Sequence, residues 1–142
     1  MMALKSGARP PGHRASGGLD RVPAEQELPY VRVVTAHGVS RFDTACLALL
    51  PGAIVPPGLA VAQTLTLEVT ALVVVRLPAG WSRRRTTPAR QWVIVLTGTV
   101  EVATHDEVRR FGPGEFVLAE DTDGTGHTTT AIDDVTLAVV RI

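Results

Sequence analysis

GWSRRRTTPARQWVIVLTG, residues 80–98, and FGPGEFVLAEDTDGTGH, residues 111–127, decide how this chain is read. Each leaves a turn marked by glycine and proline, runs into a strand of β-branched and apolar residues, and aims polar side chains toward the mouth of a barrel. Between them they hold most of the polar chemistry the chain offers. The remainder reads as scaffold.

Working outward, strands recur every 8 to 12 residues with turn signals between them, and no segment keeps a helical period beyond a turn or two. Period-two alternation begins at Tyr30, reverses at His37-Gly38 and continues from Val39 to Leu50. Leu65 to Leu77 is the longest strand expected, and its apolar run Ala71 to Val75 implies that both faces are covered. After Arg90 to Leu96 comes a hairpin, Thr99 to Thr104 with Glu107 to Phe111. Glu115 to Glu120, His127 to Ala131 and Val135 to Ile142 complete the set. The pattern predicts an all-β sandwich or barrel in one domain, residues 28–142.

Two stretches stand apart. Residues 1–27 combine Pro10-Pro11, Gly17-Gly18 and scattered charge without periodicity, the composition of a flexible tail with no apolar core for a secretory signal. Residues 51–64 are bracketed by Pro51-Gly52 and Pro56-Pro57-Gly58 yet carry Ile54, Val55, Leu59 and Val61, which suits a lid or a subunit contact.

Composition narrows the function classes. The net charge is zero, with +3 in the first 21 residues, where Lys5, Arg9, Arg14 and Arg21 outnumber Asp20, and −3 in the rest, so no basic face for nucleic acid is expected on the folded part. No apolar run is long enough to span a membrane as a helix. The single cysteine, Cys46, permits no intrachain disulfide. It is expected to pack as a small hydrophobe in a cytoplasmic protein. Thirteen arginines against one lysine point to a GC-rich, bacterial coding bias.

Gln91, six residues and Gly98, preceded by Pro88, resemble the first half-motif of the cupins. Gly112-Pro113-Gly114-Glu115 followed by His127 resembles the second. The resemblance implies an antiparallel jelly-roll β-barrel of cupin type over residues 28–142, commonly paired as a homodimer. It also implies a divalent metal held by three histidines and a glutamate. At those positions this chain has Arg85, or Arg84 in a second spacing, Thr87 or Thr86, Gln91 and His127, so the metal motif is degenerate and no cofactor is expected. Arginine cannot act as a ligand and places positive charge where the metal would sit.

Without metal, an extended segment 85–91 puts Arg85, Thr87, Ala89 and Gln91 on one face, with Val93 and Val95 continuing it into the floor. Thr129 joins His127 on the facing side. In this reading Arg85 anchors a carboxylate or stabilises an enolate, Gln91 orients a carbonyl, and His127 moves a proton. Trp81 and Glu120 complete the expected substrate pocket. The bland alternatives are a solvated turn for Arg83-Arg84-Arg85, a structural amide at Gln91, a satisfied buried histidine at 127, and salt bridges from Glu120 and Asp121 to Arg84 or Arg85. His37 and His105 read as surface turn residues. The expected activity is metal-independent isomerisation, cyclisation or dehydration of an organic acid or polyketide-like small molecule. A non-catalytic binding or sensor protein and a metal-dependent dioxygenase are the alternatives.

Overall fold

His37 and Gly38 hold φ angles of 53° and 80°, the left-handed pair that a two-residue hairpin requires. They turn β1 (Glu27–Ala36) back on itself as β2 (Val39–Ala48), where the sequence places the first strand pair. The structure, a computed structural model, describes residues 27–51 and 62–142. The tail expected over 1–27 therefore lies outside the described residues except for Glu27, which opens β1. Most of the 51–64 loop lies outside them too.

The described residues form two compact parts. In one, β3 (Leu50–Pro51) and β4 (Ala62–Gln63) make a short antiparallel pair. The other, built from Tyr30–Ala45 and Glu68–Ile142, contains β5 (Ala71–Leu77), β6 (Ser82–Arg85), β7 (Gln91–Thr97), β8 (Val100–Ala103), β9 (Val108–Phe111), β10 (Phe116–Ala119), β11 (His127–Ala131) and β12 (Val135–Arg141). A six-stranded sheet of order β2-β1-β10-β7-β12-β5 joins a four-stranded sheet of order β6-β11-β8-β9 around one core, and the described residues contain no helix. The all-β jelly-roll architecture is as expected.

Alternation builds the core. Val33, Val95, Val117, Val135 and Leu137 of the larger sheet meet Val100, Val102, Phe111 and Ala131 of the smaller one. Val33 and Val135 are 1% and 0% exposed, and burying a valine fully contributes about 1.5 kcal/mol or more. Gly98 adopts φ 83° and lies against the Asp134 and Val135 backbone and the Asp133 side chain, where any Cβ would collide. This close approach explains the glycine seven positions beyond Gln91.

Several expectations change. The pair β1–β10 is parallel, Val31 opposite Val117, so the barrel is not antiparallel throughout: β1 joins the side of β10 that β7 leaves free. The long strand expected from Leu65 begins only at Ala71, because its ladder partner β12 places Arg141 opposite Ala71 and the pairing ends there. β5 is also the last strand of its sheet, so Leu72 and Val74 are 65% and 62% exposed and the run Ala71 to Val75 is not covered on both faces. Arg83-Arg84-Arg85 is not a turn but most of β6, held by its ladder to β11. Cys46 is exposed rather than packed.

Candidate functional site

β6 and β11 run antiparallel with Arg85 opposite His127 and Arg83 opposite Thr129. Directly opposed residues share a face, so these four side chains line one wall of a cavity of about 180 Å³. The other wall comes from the larger sheet, where Gln91 and Val93 of β7 face in beside Ala119 of β10. Residues 86–90 lie outside any strand, so β6 and β7 are separate elements rather than the continuous extended segment expected. Arg85, Thr87 and Gln91 nevertheless reach the same cavity. A smaller cavity of about 40 Å³ adjoins it deeper in the barrel and also includes His127.

The centre of the polar chemistry is Asp121, whose side chain is fully buried. Its Oδ2 accepts hydrogen bonds from Ser40 Oγ at 2.6 Å and His127 Nδ1 at 2.6 Å, and its Oδ1 accepts from Thr87 Oγ1 at 2.7 Å. The Thr87 amide also donates to the Asp121 carbonyl at 3.0 Å. Burial is the strongest single influence on the Asp121 carboxyl and pushes its pKa up. Hydrogen bonds from His127, Ser40 and Thr87, with the charge of His127, outweigh it and hold the group below the usual aspartate value. An ionised Asp121 accepts only, so Nδ1 carries the proton in the His127 bond and Nε2 is the nitrogen left for the cavity.

The loop that delivers His127 is fixed by two glycines. Gly126, φ 79°, lies against the backbone of Arg85 and Thr86, where an added Cβ would sit 2.6 Å from the Arg85 carbonyl carbon and oxygen. Gly124, φ 82°, packs as closely on the Gly38 carbonyl, which also accepts from the Thr125 amide at 3.0 Å. A side chain at either position would displace the loop and with it the imidazole.

Of the residues singled out from the sequence, Arg85, Thr87, Gln91, Val93, His127, Thr129 and Trp81 line the larger cavity, whereas Val95 lines only the smaller one. Glu120 lies outside both linings. Its carboxylate pairs with Arg32 Nη1 at 3.2 Å and Arg90 Nε at 2.7 Å, and Arg32 is also held by Asp43. Neither Glu120 nor Asp121 pairs with Arg84 or Arg85. Thr87 is 3% exposed and spends its hydroxyl on Asp121.

Sequence reasoning missed Arg83, Ser40 and the role of Asp121. For Asp121 the signal was present: Val117, Ala119 and Asp121 share a parity, so continuing the alternation of β10 turns Asp121 inward and Glu120 outward. Ser40 lies 81 residues from Asp121, and only the fold brings it there.

Two features of the cavity are unpartnered. Gln91 is 8% exposed, and its Oε1 has no hydrogen-bond partner among the described residues. Arg83 and Arg85 carry no ion pair among the described residues, and neither cavity is lined by an acidic side chain. The four positions that the cupin resemblance assigns to a metal thus bring one imidazole nitrogen, one amide, a hydroxyl already engaged and a guanidinium. Among the described residues no three of His, Cys, Asp or Glu gather as a ligand set. A divalent metal takes imidazole, carboxylate or thiolate donors, and this set does not fit one.

No protein-family model matches the sequence, and no curated protein matches it. Among solved structures, the chain resembles the SPY1581 protein of unknown function from Streptococcus pyogenes at 20% identity, over 56% of this chain and 68% of that one, with a TM-score of 0.45. It also resembles an RmlC-like cupin from Desulfovibrio desulfuricans at 16% identity over 90% and 95%, TM-score 0.41. A third likeness is to the DMSP lyase DddQ of Ruegeria pomeroyi at 20% identity, over 91% of this chain but 55% of the lyase, TM-score 0.43. These structural neighbours include cupin-domain proteins. At such scores they do not bear on what the cavity does.

Proposed function

We propose that this barrel binds a small organic acid and moves a proton on it without a metal, using His127 as the proton carrier. The observation that carries the reading is the 2.6 Å bond between His127 Nδ1 and the buried Asp121, set beside the unpaired Arg85 in the same cavity. A carboxylate that fixes one imidazole nitrogen leaves the other as an oriented base, an arrangement familiar from acid–base catalysis in general.

The chemistry follows from the placement. An acid anchored on Arg85 by charge-assisted hydrogen bonds lies next to His127, its directly opposed neighbour. His127 Nε2 takes a proton from a carbon acidified by an adjacent carbonyl, and the electron pair moves onto the carbonyl oxygen, where the guanidinium stabilises the enolate. Returning the proton at another atom isomerises the substrate. Attack of the enolate carbon on a second carbonyl carbon of the same molecule closes a ring, that carbonyl's π pair moving onto its oxygen, which takes the proton back from His127. Alternatively, as the enolate pair expels a β-hydroxyl, that proton goes to the departing oxygen and water is released.

The test reads proton transfer directly. Full-length protein is incubated in deuterium oxide with a panel of 2-oxo and 3-oxo acids, and deuterium entering carbon positions is followed by mass spectrometry. Catalysed wash-in that His127→Asn abolishes while the circular dichroism spectrum is kept supports the reading. Full wash-in by His127→Asn removes this residue from the mechanism. Acids that bind without any wash-in make the protein a binding module instead.

A further inference from the structure

The reading above leaves the ligand as any organic acid, and the unpartnered groups of the cavity narrow it. Arg83 and Arg85, both exposed, line the cavity from alternate positions of β6, on the wall formed by the smaller sheet. Gln91 faces them from β7 of the larger sheet, nine-tenths buried, with a side-chain Oε1 that finds no partner among the described residues. A buried polar group without a partner is destabilising. Its retention in a cavity wall points to a ligand group that completes it. The amide oxygen accepts a hydrogen bond and carries no charge, so it suits a neutral donor such as a hydroxyl. A second anion there, away from both guanidinium groups, would be buried without a counter-charge.

Resting on the proposed function, we infer that the ligand is a carboxylate bearing a neutral hydroxyl at its inner end: the carboxylate spans Arg83 and Arg85 at one wall and the hydroxyl donates to Gln91 at the opposite wall. Arg83 is then a ligand-binding residue, and Gln91 sets specificity. His127 sits beside Arg85 on the same wall, which brings the carboxylate end of the ligand to the imidazole. The apolar surface between, from Val75, Val93 and Leu137, accommodates a hydrocarbon or aromatic body.

Three probes separate the contacts: 3-(4-hydroxyphenyl)propanoate, whose hydroxyl lies at the end of the ring remote from the carboxylate, hydrocinnamate, which lacks the hydroxyl, and the neutral diol 4-(3-hydroxypropyl)phenol, which lacks the carboxylate. Each is titrated into isotope-labelled full-length protein while backbone amide shifts are followed by NMR. Hydroxyphenylpropanoate is expected to bind about tenfold or more tightly than either analogue, since a site built to pair a polar group discriminates against its absence. The gap to hydrocinnamate should vanish in Gln91→Leu, and the gap to the diol should vanish in the double variant Arg83→Gln, Arg85→Gln. If Gln91→Leu fails to fold, the three affinities of the unaltered protein decide.

Equal binding of the two acids to the unaltered protein overturns the Gln91 assignment while leaving the anion-binding, proton-transfer reading in place. Undiminished hydroxyphenylpropanoate binding by the double arginine variant overturns the anion site and that reading together. So does the absence of any shift at Gln91 and His127 with all three probes.

Discussion

Glu120 and Asp121 are consecutive carboxylates with opposite fates. Glu120 points outward into a partly solvated network with Arg32 and Arg90, while Asp121 points inward, fully buried, and gathers Ser40, Thr87 and His127. The outer network shares its attraction with water and salt, and each of its pairs is worth little. The inner one has no water to fall back on, so every donor around Asp121 depends on it. The same chemical group is therefore dispensable on one face of the barrel and indispensable on the other.

The largest expected effect breaks the inner network. Asp121→Ala leaves the donors of Ser40, Thr87 and His127 without their acceptor and is expected to lower the unfolding free energy by about 3 kcal/mol or more, measured by urea denaturation. A loss below about 1 kcal/mol, typical of an exposed pair, would erase the contrast with Glu120.

Next in size is Gly126→Ala. Its φ of 79° and the Arg85 carbonyl at 2.6 Å from a built Cβ predict a loss of about 1–3 kcal/mol, together with large NMR shift changes at His127. A neutral substitution would show that the loop repositions without strain and that the imidazole is not tightly placed.

The acid limb of the stability curve sharpens the comparison further. Asp121 is held below the unperturbed value of 3.8, so its contribution is complete above that pH and is lost as pH falls through the lower folded value. Unfolding free energy should therefore drop below about pH 3.8, and Asp121→Asn should show a shallower drop. Asp43, held low by its hydrogen bond from Arg32, keeps a residual slope in that variant. Identical acid limbs in the two proteins would mean that Asp121 is not the group being protonated.

The smallest effect is expected outside. Glu120→Ala should cost under about 1 kcal/mol, and the difference should shrink as salt is added. A salt-insensitive loss of several kcal/mol would show that Arg32, Glu120 and Arg90 act as a buried structural cluster.

The fold was legible because its information is local. Turn residues such as His37-Gly38 and Gly112-Pro113-Gly114, and the alternation between them, set where strands begin and end. The reading failed where a partner strand decides: residues 65–70 have strand composition, but β12 runs out opposite Ala71. Arg83-Arg84-Arg85 looks like a solvated turn, but β11 captures it as a ladder. Arg85, Gln91, His127 and Thr129 line one cavity, but parity mispaired them: Arg85 shares a wall with His127 and Thr129 while Gln91 stands on the other, because residues 86–90 leave the strand. The same parity separates Glu120 from Asp121, yet proximity in sequence suggested a shared role for both.

By itself the sequence determined an all-β barrel, the order of its main strands and the two stretches that supply most of the cavity's polar residues, because turn chemistry and period-two patterning act over a few residues. Tertiary structure alone decided that Asp121 takes its hydrogen bonds from Ser40 and Thr87, that Gln91 is left without a partner and that Arg83 joins the wall. Those outcomes depend on burial and on contacts between residues as many as 81 positions apart, and local periodicity carries no record of either.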